Sequence, residues 1–148
     1  MNIHLATDHA GFELKEMVKE YLSKNGYSIM DHGAFEYDAL DDYPDFIFPA
    51  AKAVAIDAHS RGIIFGGSGQ GEAMAANRIK GVRAVVFYGG NQEIPSLSRQ
   101  HNNANILSVG ARFVSSKEMI DVIEEWLATP FQGGRHTGRI QKLDDETK

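Results

Sequence analysis

Apolar residues along this chain switch repeatedly between a strand-like and a helix-like spacing. Ile3-His4-Leu5-Ala6-Thr7 is a short, partly β-branched run that predicts a strand. From Phe12 to Lys24 the apolar positions Phe12, Leu14, Met17, Val18, Tyr21 and Leu22 follow the helical period, and Gly26 is a natural stop. Tyr27–Met30 predicts a second strand, with a loop through Asp31-His32-Gly33 behind it. The stretch from Pro44 to His59 reads as a helix with Pro44 in its first turn and a perturbation at Pro49. A third strand, Gly62–Phe65, runs straight into Gly66-Gly67-Ser68-Gly69-Gln70-Gly71, and a helix continues from Glu72 to Arg78. Arg83–Tyr88 predicts a fourth strand, Pro95–Asn102 a helix and Ile106–Val109 a fifth strand. Ser115 or Ser116 caps a last long helix, Lys117–Leu127, with Met119, Ile120, Ile123, Trp126 and Leu127 on its apolar face. From Pro130 onward the chain reads as a polar tail.

Five strands alternating with helices imply an α/β fold, an open three-layer α/β/α sandwich around a five-stranded parallel sheet. Ligands of such folds sit beyond the C-terminal ends of the strands. With 148 residues, the chain has the length of one domain, 1–148, and no internal repeat divides it. A hydrophobic share of 43% with 24% charged residues supports a packed core rather than disorder. Fifteen Lys and Arg against twenty Asp and Glu leave a net charge of −5, which argues against a general nucleic-acid or anionic-membrane binder. Cysteine is absent, so disulfides, thiolate metal sites and a cysteine nucleophile are excluded together. No basic-then-apolar leader opens the sequence, and no apolar run approaches membrane-spanning length. A soluble, cytoplasmic domain is the expectation.

The segment from Gly66 to Gly71 carries the clearest chemical signal. Four glycines in six residues at a strand-to-helix junction let backbone N–H groups converge on an anion or oxyanion. Two nucleotide motifs nearly fit and then fail. Gly66 and Gly71 have the phosphate-loop spacing, but Glu72 stands where the lysine is required. Gly67-x-Gly69-x-x-Glu72 lacks the last glycine of the dinucleotide fingerprint and follows the third strand rather than the first. A carboxylate beside a ring of N–H donors suits another task, proton abstraction next to a carbonyl, with the donors holding the enediolate. The competing reading is a tight turn followed by a Glu that complements the helix dipole. Asp8-His9 follows the first strand and reaches the same sheet edge, as a sugar-binding pair or as a helix cap. His101-Asn102 ends a helix, as an acid–base group or a solvated terminus. Arg112 follows the fifth strand. Arg135, His136 and Arg139 form a cationic patch in the tail, matched to phosphate by the guanidinium fork or simply solvated. His4, His32 and His59 show no metal-ligand spacing.

Taken in order, Thr7-Asp8-His9-Ala10-Gly11, Asp42-Tyr43-Pro44, Gly66 to Glu72 with Ala75-Ala76-Asn77, Ser98-Arg99-Gln100-His101-Asn102, Gly110-Ala111-Arg112 and Gly133-Gly134-Arg135-His136 closely resemble the motifs of the ribose-5-phosphate isomerase B family, grouped with the galactose-6-phosphate isomerase subunits. The resemblance spans nearly the whole chain. It implies a Rossmann-like fold, a homodimer with active sites at the subunit interface and possible pairing into tetramers, and no metal or organic cofactor. The activity it implies is interconversion of ribose 5-phosphate and ribulose 5-phosphate through a cis-enediolate. Carried onto matching positions, His101 opens the furanose ring with Asp8 nearby on the sugar. Arg135, Arg139, Arg112 and His9 hold the phosphate, and Tyr43 and Asn102 line the sugar site. Gly67 and Gly71 offer N–H groups to the enediolate, and Ser68 polarises the reacting end or steadies the base. Many members place a Cys base where this chain has Gly66; a second subgroup places a Glu after Gly-Gly-Ser-Gly-x-Gly, as Glu72 stands here. The 130–148 arm is then expected to contact the partner subunit. The unusual 88–95 segment leaves allose 6-phosphate, galactose 6-phosphate or a tetrose phosphate as alternative substrates. A non-catalytic sugar-phosphate-binding module is the alternative of a different class.

Overall fold

The computed structural model describes residues 1–147. The elements run β1 (Asn2–Thr7), a 3-10 turn (His9–Gly11), α1 (Phe12–Lys24), β2 (Ser28–Asp31), α2 (Pro44–Ile56), β3 (Arg61–Gly66), α3 (Gln70–Ala76), β4 (Ala84–Phe87), α4 (Glu93–Asn102), β5 (Ile106–Gly110), α5 (Ser116–Ala128) and α6 (Arg135–Asp145). The five strands pair in parallel in the order β2-β1-β3-β5-β4. The expected sheet and its three layers are therefore present. Because the strands are covered on both faces, alternate residues feed two cores. Ile3, Leu5, Ile63, Phe65, Leu107 and Val109 meet Val18 and Leu22 of α1 and Met119, Ile123 and Trp126 of α5. Ala6, Ile64 and Ile106 meet Ile47, Ala50, Ala51 and Val54 of α2 and Ala75 and Ala76 of α3. Each large apolar side chain so enclosed contributes on the order of 1.5–3 kcal/mol.

Several boundaries differ from the pattern reading. α2 continues through Pro49 and ends at Ile56, which leaves His59 in the following turn. Pro49 lies in the helix's second turn, on its exposed side, and removes the one N–H that would pair with the Asp45 carbonyl. Ser115, rather than Ser116, caps α5, its hydroxyl accepting from the Glu118 N–H at 3.1 Å. The largest difference is the C-terminal segment: the polar tail holds an eleven-residue helix, α6, with no buried residue. It lies against α4, and His136 stacks on His101 with ring centroids 4.7 Å apart. Near the other end of α6, Asp144 accepts the Gly81 N–H at 2.9 Å.

The order of the strands creates the site. β1 connects outward to β2, whereas β3 leads toward the opposite edge, so the chain reverses direction across the sheet between β1 and β3. The crevice beyond their C-terminal ends is the expected ligand position of a doubly wound sheet. The long segment between β2 and α2 wraps over this crevice. Its root is fixed by Lys15, which is fully buried and donates to both Asp31 carboxylate oxygens and to the Ala34 carbonyl, each at 2.8 Å. No described helix is long and apolar enough to cross a membrane.

Candidate active site

A cleft of about 320 Å³ lies at the C-terminal edge of the sheet, lined by Asp8, His9, Ala10, Tyr43, Gly67, Ser68, Gly71, Glu72 and Arg112. Eight of the residues singled out in the sequence thus meet in one place: Asp8, His9, Tyr43, Gly67, Ser68, Gly71, Glu72 and Arg112. They arrive from four segments, the ends of β1, β3 and β5 and the start of α2.

The glycine loop is held from both sides. Ala111 N–H donates to the Gly66 carbonyl at 2.8 Å and Arg112 N–H to the Gly67 carbonyl at 3.2 Å. The buried Ser108 hydroxyl donates to the Gly69 carbonyl at 2.7 Å. Gly69 adopts φ +78°, a left-handed conformation that turns the loop into α3 and that residues with a Cβ rarely take. Ser68 is exposed at the loop tip, its Oγ accepting weakly from Gln70 N–H at 3.3 Å.

Glu72 stands in the first turn of α3 with only 5% of its surface exposed. Its carboxylate occupies the space where a side chain on Gly66 would project: a Cβ built there falls inside the Glu72 carboxyl group. Gly66 is therefore the residue that makes room for Glu72. Burial pushes the Glu72 carboxyl above the usual carboxylate range; its own backbone N–H opposes the shift, and the neighbouring Asp8 adds to it. A buried carboxyl with a raised pKa beside a glycine loop is a candidate proton acceptor.

Asp8 serves as the cap anticipated for it, accepting the Ala10 N–H at 2.9 Å, and is itself buried. His9 donates both its backbone N–H (3.0 Å) and its Nδ1–H (2.8 Å) to one oxygen of Asp41. That bond, chiefly, raises the His9 pKa, so His9 carries more positive charge near neutrality than a free imidazole. Asp41 was not singled out in the sequence. It belongs to an acidic loop run, and 32 residues separate it from His9, so no local spacing marks the pair. Asp8, His9 and Asp41 offer potential ligand atoms within 4.8 Å of one another. In the fold, Asp41 Oδ1 is taken by His9 and Asp8 Oδ1 by the Ala10 amide, so the group is organised by protein hydrogen bonds.

The remaining candidates gather elsewhere. His101, Asn102, His136 and Arg139 line a second cavity of about 380 Å³ with Ile140 and Leu143, between the end of α4 and α6. Arg135 is exposed at the first position of α6. Mutual repulsion with Arg135, Arg139 and His101, after partial burial, holds the His136 imidazole below its ordinary value. The two cavities share no lining residue. One holds the buried carboxylate and the N–H donors; the other holds histidine and the cationic side chains.

A doubly wound sheet with a buried glutamate under a glycine loop defines an α/β protein with a ligand cleft at its topological switch point rather than a nucleotide fold. Comparison with known proteins gives the particular family. The Ribose/Galactose Isomerase family model matches residues 3–143. The chain is 40% identical over 144 residues to ribose-5-phosphate isomerase B of Mycolicibacterium paratuberculosis, covering 97% of this chain and 89% of that one. It is similar to the structure of ribose-5-phosphate isomerase B from Mycoplasma genitalium with bound ribulose 5-phosphate (TM-score 0.92, 40% identity, 97% and 94% of the two chains). The corresponding protein of Clostridium thermocellum gives a TM-score of 0.92 at 39% identity, over 98% and 96% of the chains. The chain belongs to the ribose/galactose isomerase family, and it is an isomerase.

Proposed function

We propose that the protein interconverts ribose 5-phosphate and ribulose 5-phosphate, with Glu72 as the base. The observation that carries this reading is the buried Glu72 carboxylate packed over Gly66, beside the loop donors that an enediolate requires. The ring is opened by His101 with Asp8 close to the sugar. Glu72 then removes the C2 proton, and the electron pair moves to the C1 oxygen to give a cis-enediolate held by the Gly67 and Gly71 N–H groups. Ser68 polarises the reacting end. Return of the proton from Glu72 to C1, with the C2 hydroxyl proton passing to the C1 oxygen as the C2 oxygen becomes the carbonyl, completes the isomerisation. Tyr43 and Asn102 line the sugar, while His9, Arg112, Arg135 and Arg139 hold the phosphate.

The chain works as a homodimer in this reading. His101, Asn102 and Arg139 of one protomer complete the cleft that contains Glu72, Asp8 and His9 of the other. The separation of the two groups into cavities with no common residue supports this division. So does the exposed apolar side chain of Leu143 (56%), which lines the second cavity from α6. The segment 130–148 thereby becomes the arm that brings phosphate-binding arginines to the partner.

The test is isomerisation of ribose 5-phosphate, with allose 6-phosphate and galactose 6-phosphate beside it and solvent exchange of the C2 hydrogen followed by NMR. Turnover of ribose 5-phosphate with exchange is expected. Turnover of a six-carbon substrate alone would keep the chemistry and change the substrate; binding without exchange would reduce the protein to a binding module. Arg135→Ala is expected to raise KM for the phosphorylated sugar about 10-fold or more, since a charge-assisted bond to phosphate contributes roughly 1.5–3 kcal/mol. Its exposed position in α6 leaves the fold intact, which circular dichroism checks. An unchanged KM removes Arg135 from the phosphate site.

A further inference from the structure

We infer that Asp41 is a positioning residue that orients His9 and turns its Nε2–H toward the substrate phosphate. The inference rests on the placement of His9 at the phosphate proposed above. One Asp41 oxygen accepts from both the backbone and the ring of His9, at 3.0 and 2.8 Å, which fixes the rotamer and the tautomer together. With Nδ1–H committed to Asp41, Nε2 is the ring nitrogen left for a ligand in the cleft that His9 lines. The Asp41 side chain is only 9% exposed, and its other oxygen, Oδ2, is buried with no hydrogen-bond partner. A carboxylate so desolvated is costly unless a cation lies against it. The cation in direct contact is His9.

The groups facing His9 agree with this assignment. Asp41 from the β2–α2 segment and Asp8 from its own turn favour the imidazolium, whereas Arg112 from the end of β5 opposes it. The Tyr37 ring meets His9 edge-on with centroids 6.2 Å apart. The Asp41 contribution is the largest, so His9 stays cationic to a higher pH than a free imidazole. A phosphate dianion binds the imidazolium in preference to the neutral ring, and affinity should fall as pH rises through the His9 pKa.

Asp41→Asn keeps an acceptor for both His9 donors and removes only the charge. In the full-length protein, KM for ribose 5-phosphate is expected to rise about 10-fold at pH 8, as for loss of one charge-assisted bond to phosphate, and by less at pH 6, where the imidazolium is more populated. Asp41→Glu should restore part of the loss at pH 8. In parallel, the His9 ring signals are titrated by NMR with and without inorganic phosphate. The wild-type midpoint is expected above the ordinary histidine value, a measurement that needs no variant, and lower in Asp41→Asn. A wild-type His9 that titrates at or below the ordinary value overturns the proposal, as does a KM increase equal at both pH values. Should His9→Ala leave KM unchanged while Asp41→Asn still shifts the His9 titration, the phosphate placement of His9 fails; an unmoved titration with a raised KM in His9→Ala sinks the role of Asp41 alone.

Discussion

Glu72→Gln is expected to abolish most of the isomerase activity, lowering kcat by about 10²–10⁴-fold, while making the protein more stable at neutral pH. The loss follows from the role of a general base, for which an amide of the same shape has no substitute. The gain in stability follows from burial. The Glu72 carboxyl lies above the usual carboxylate range because the fold desolvates it and places Asp8 nearby. A carboxyl whose pKa is raised on folding favours the native state fully only below its unfolded pKa. That contribution is lost as pH rises through the higher folded value. At neutral pH the ionised Glu72 therefore opposes folding, and Gln removes the penalty. Thermal unfolding should show a higher Tm for the variant near pH 7 and a difference that shrinks toward acid pH, each kcal/mol being worth roughly 2–4 °C for a domain of this size. The acidic limb of the wild-type kcat/KM profile should also lie above the ordinary glutamate range. A variant that loses activity but also loses stability at pH 7 would show that the carboxylate has partners which the ionised form needs, and would weaken its assignment as a free base. Gly66→Ala offers a second approach to the same point. Its new methyl group falls in the volume of the Glu72 carboxylate, so activity should drop although no catalytic atom is removed.

The sequence made the scaffold legible because in this fold local pattern and tertiary environment agree. Ile63-Ile64-Phe65 is apolar at consecutive positions because both faces of β3 are covered, and α5 carries Met119, Ile123 and Trp126 at helical spacing because that stripe packs on the sheet. The glycine loop was equally readable, since a strand, a glycine run and Glu72 follow one another directly. What escaped was set by contacts distant in sequence. α6 presents only Ile140 and Leu143 as large apolar residues, has Gly138 in its interior and buries nothing, so its pattern does not separate it from a solvated tail. His9 and Asp41 are joined by a loop without periodicity. The burial of Glu72 over Gly66 belongs to the same class. The sequence shows that both residues are present, but only the turn at Gly69 folds one onto the other.

If the site is divided between two protomers as proposed, a second large effect follows. Glu72→Gln and His101→Ala homodimers should each be nearly inactive, and mixing them under conditions that exchange subunits should restore about a quarter of the wild-type rate. The number follows from the symmetry of a two-fold dimer. Random exchange makes half of the molecules heterodimers. In a heterodimer, the cleft of the His101→Ala chain keeps its own Glu72 and receives an intact His101 from its partner, whereas the other cleft lacks both groups. One good site in half of the dimers is about one quarter of all sites. If instead Glu72 and His101 of the same chain served one site, each heterodimer site would lack one group and the mixture would stay inactive. The two cavities of the single chain are the basis of this prediction. His101 stacks on His136 at 4.7 Å and lines the cavity with Arg139, whereas Glu72 lines a different cavity with Asp8, His9 and Arg112. A single chain thus carries the proposed base in one place and the proposed ring-opening and phosphate-binding groups in another. Dilution adds a check on the same argument, because activity that depends on a shared site must fall with protein concentration once the dimer dissociates.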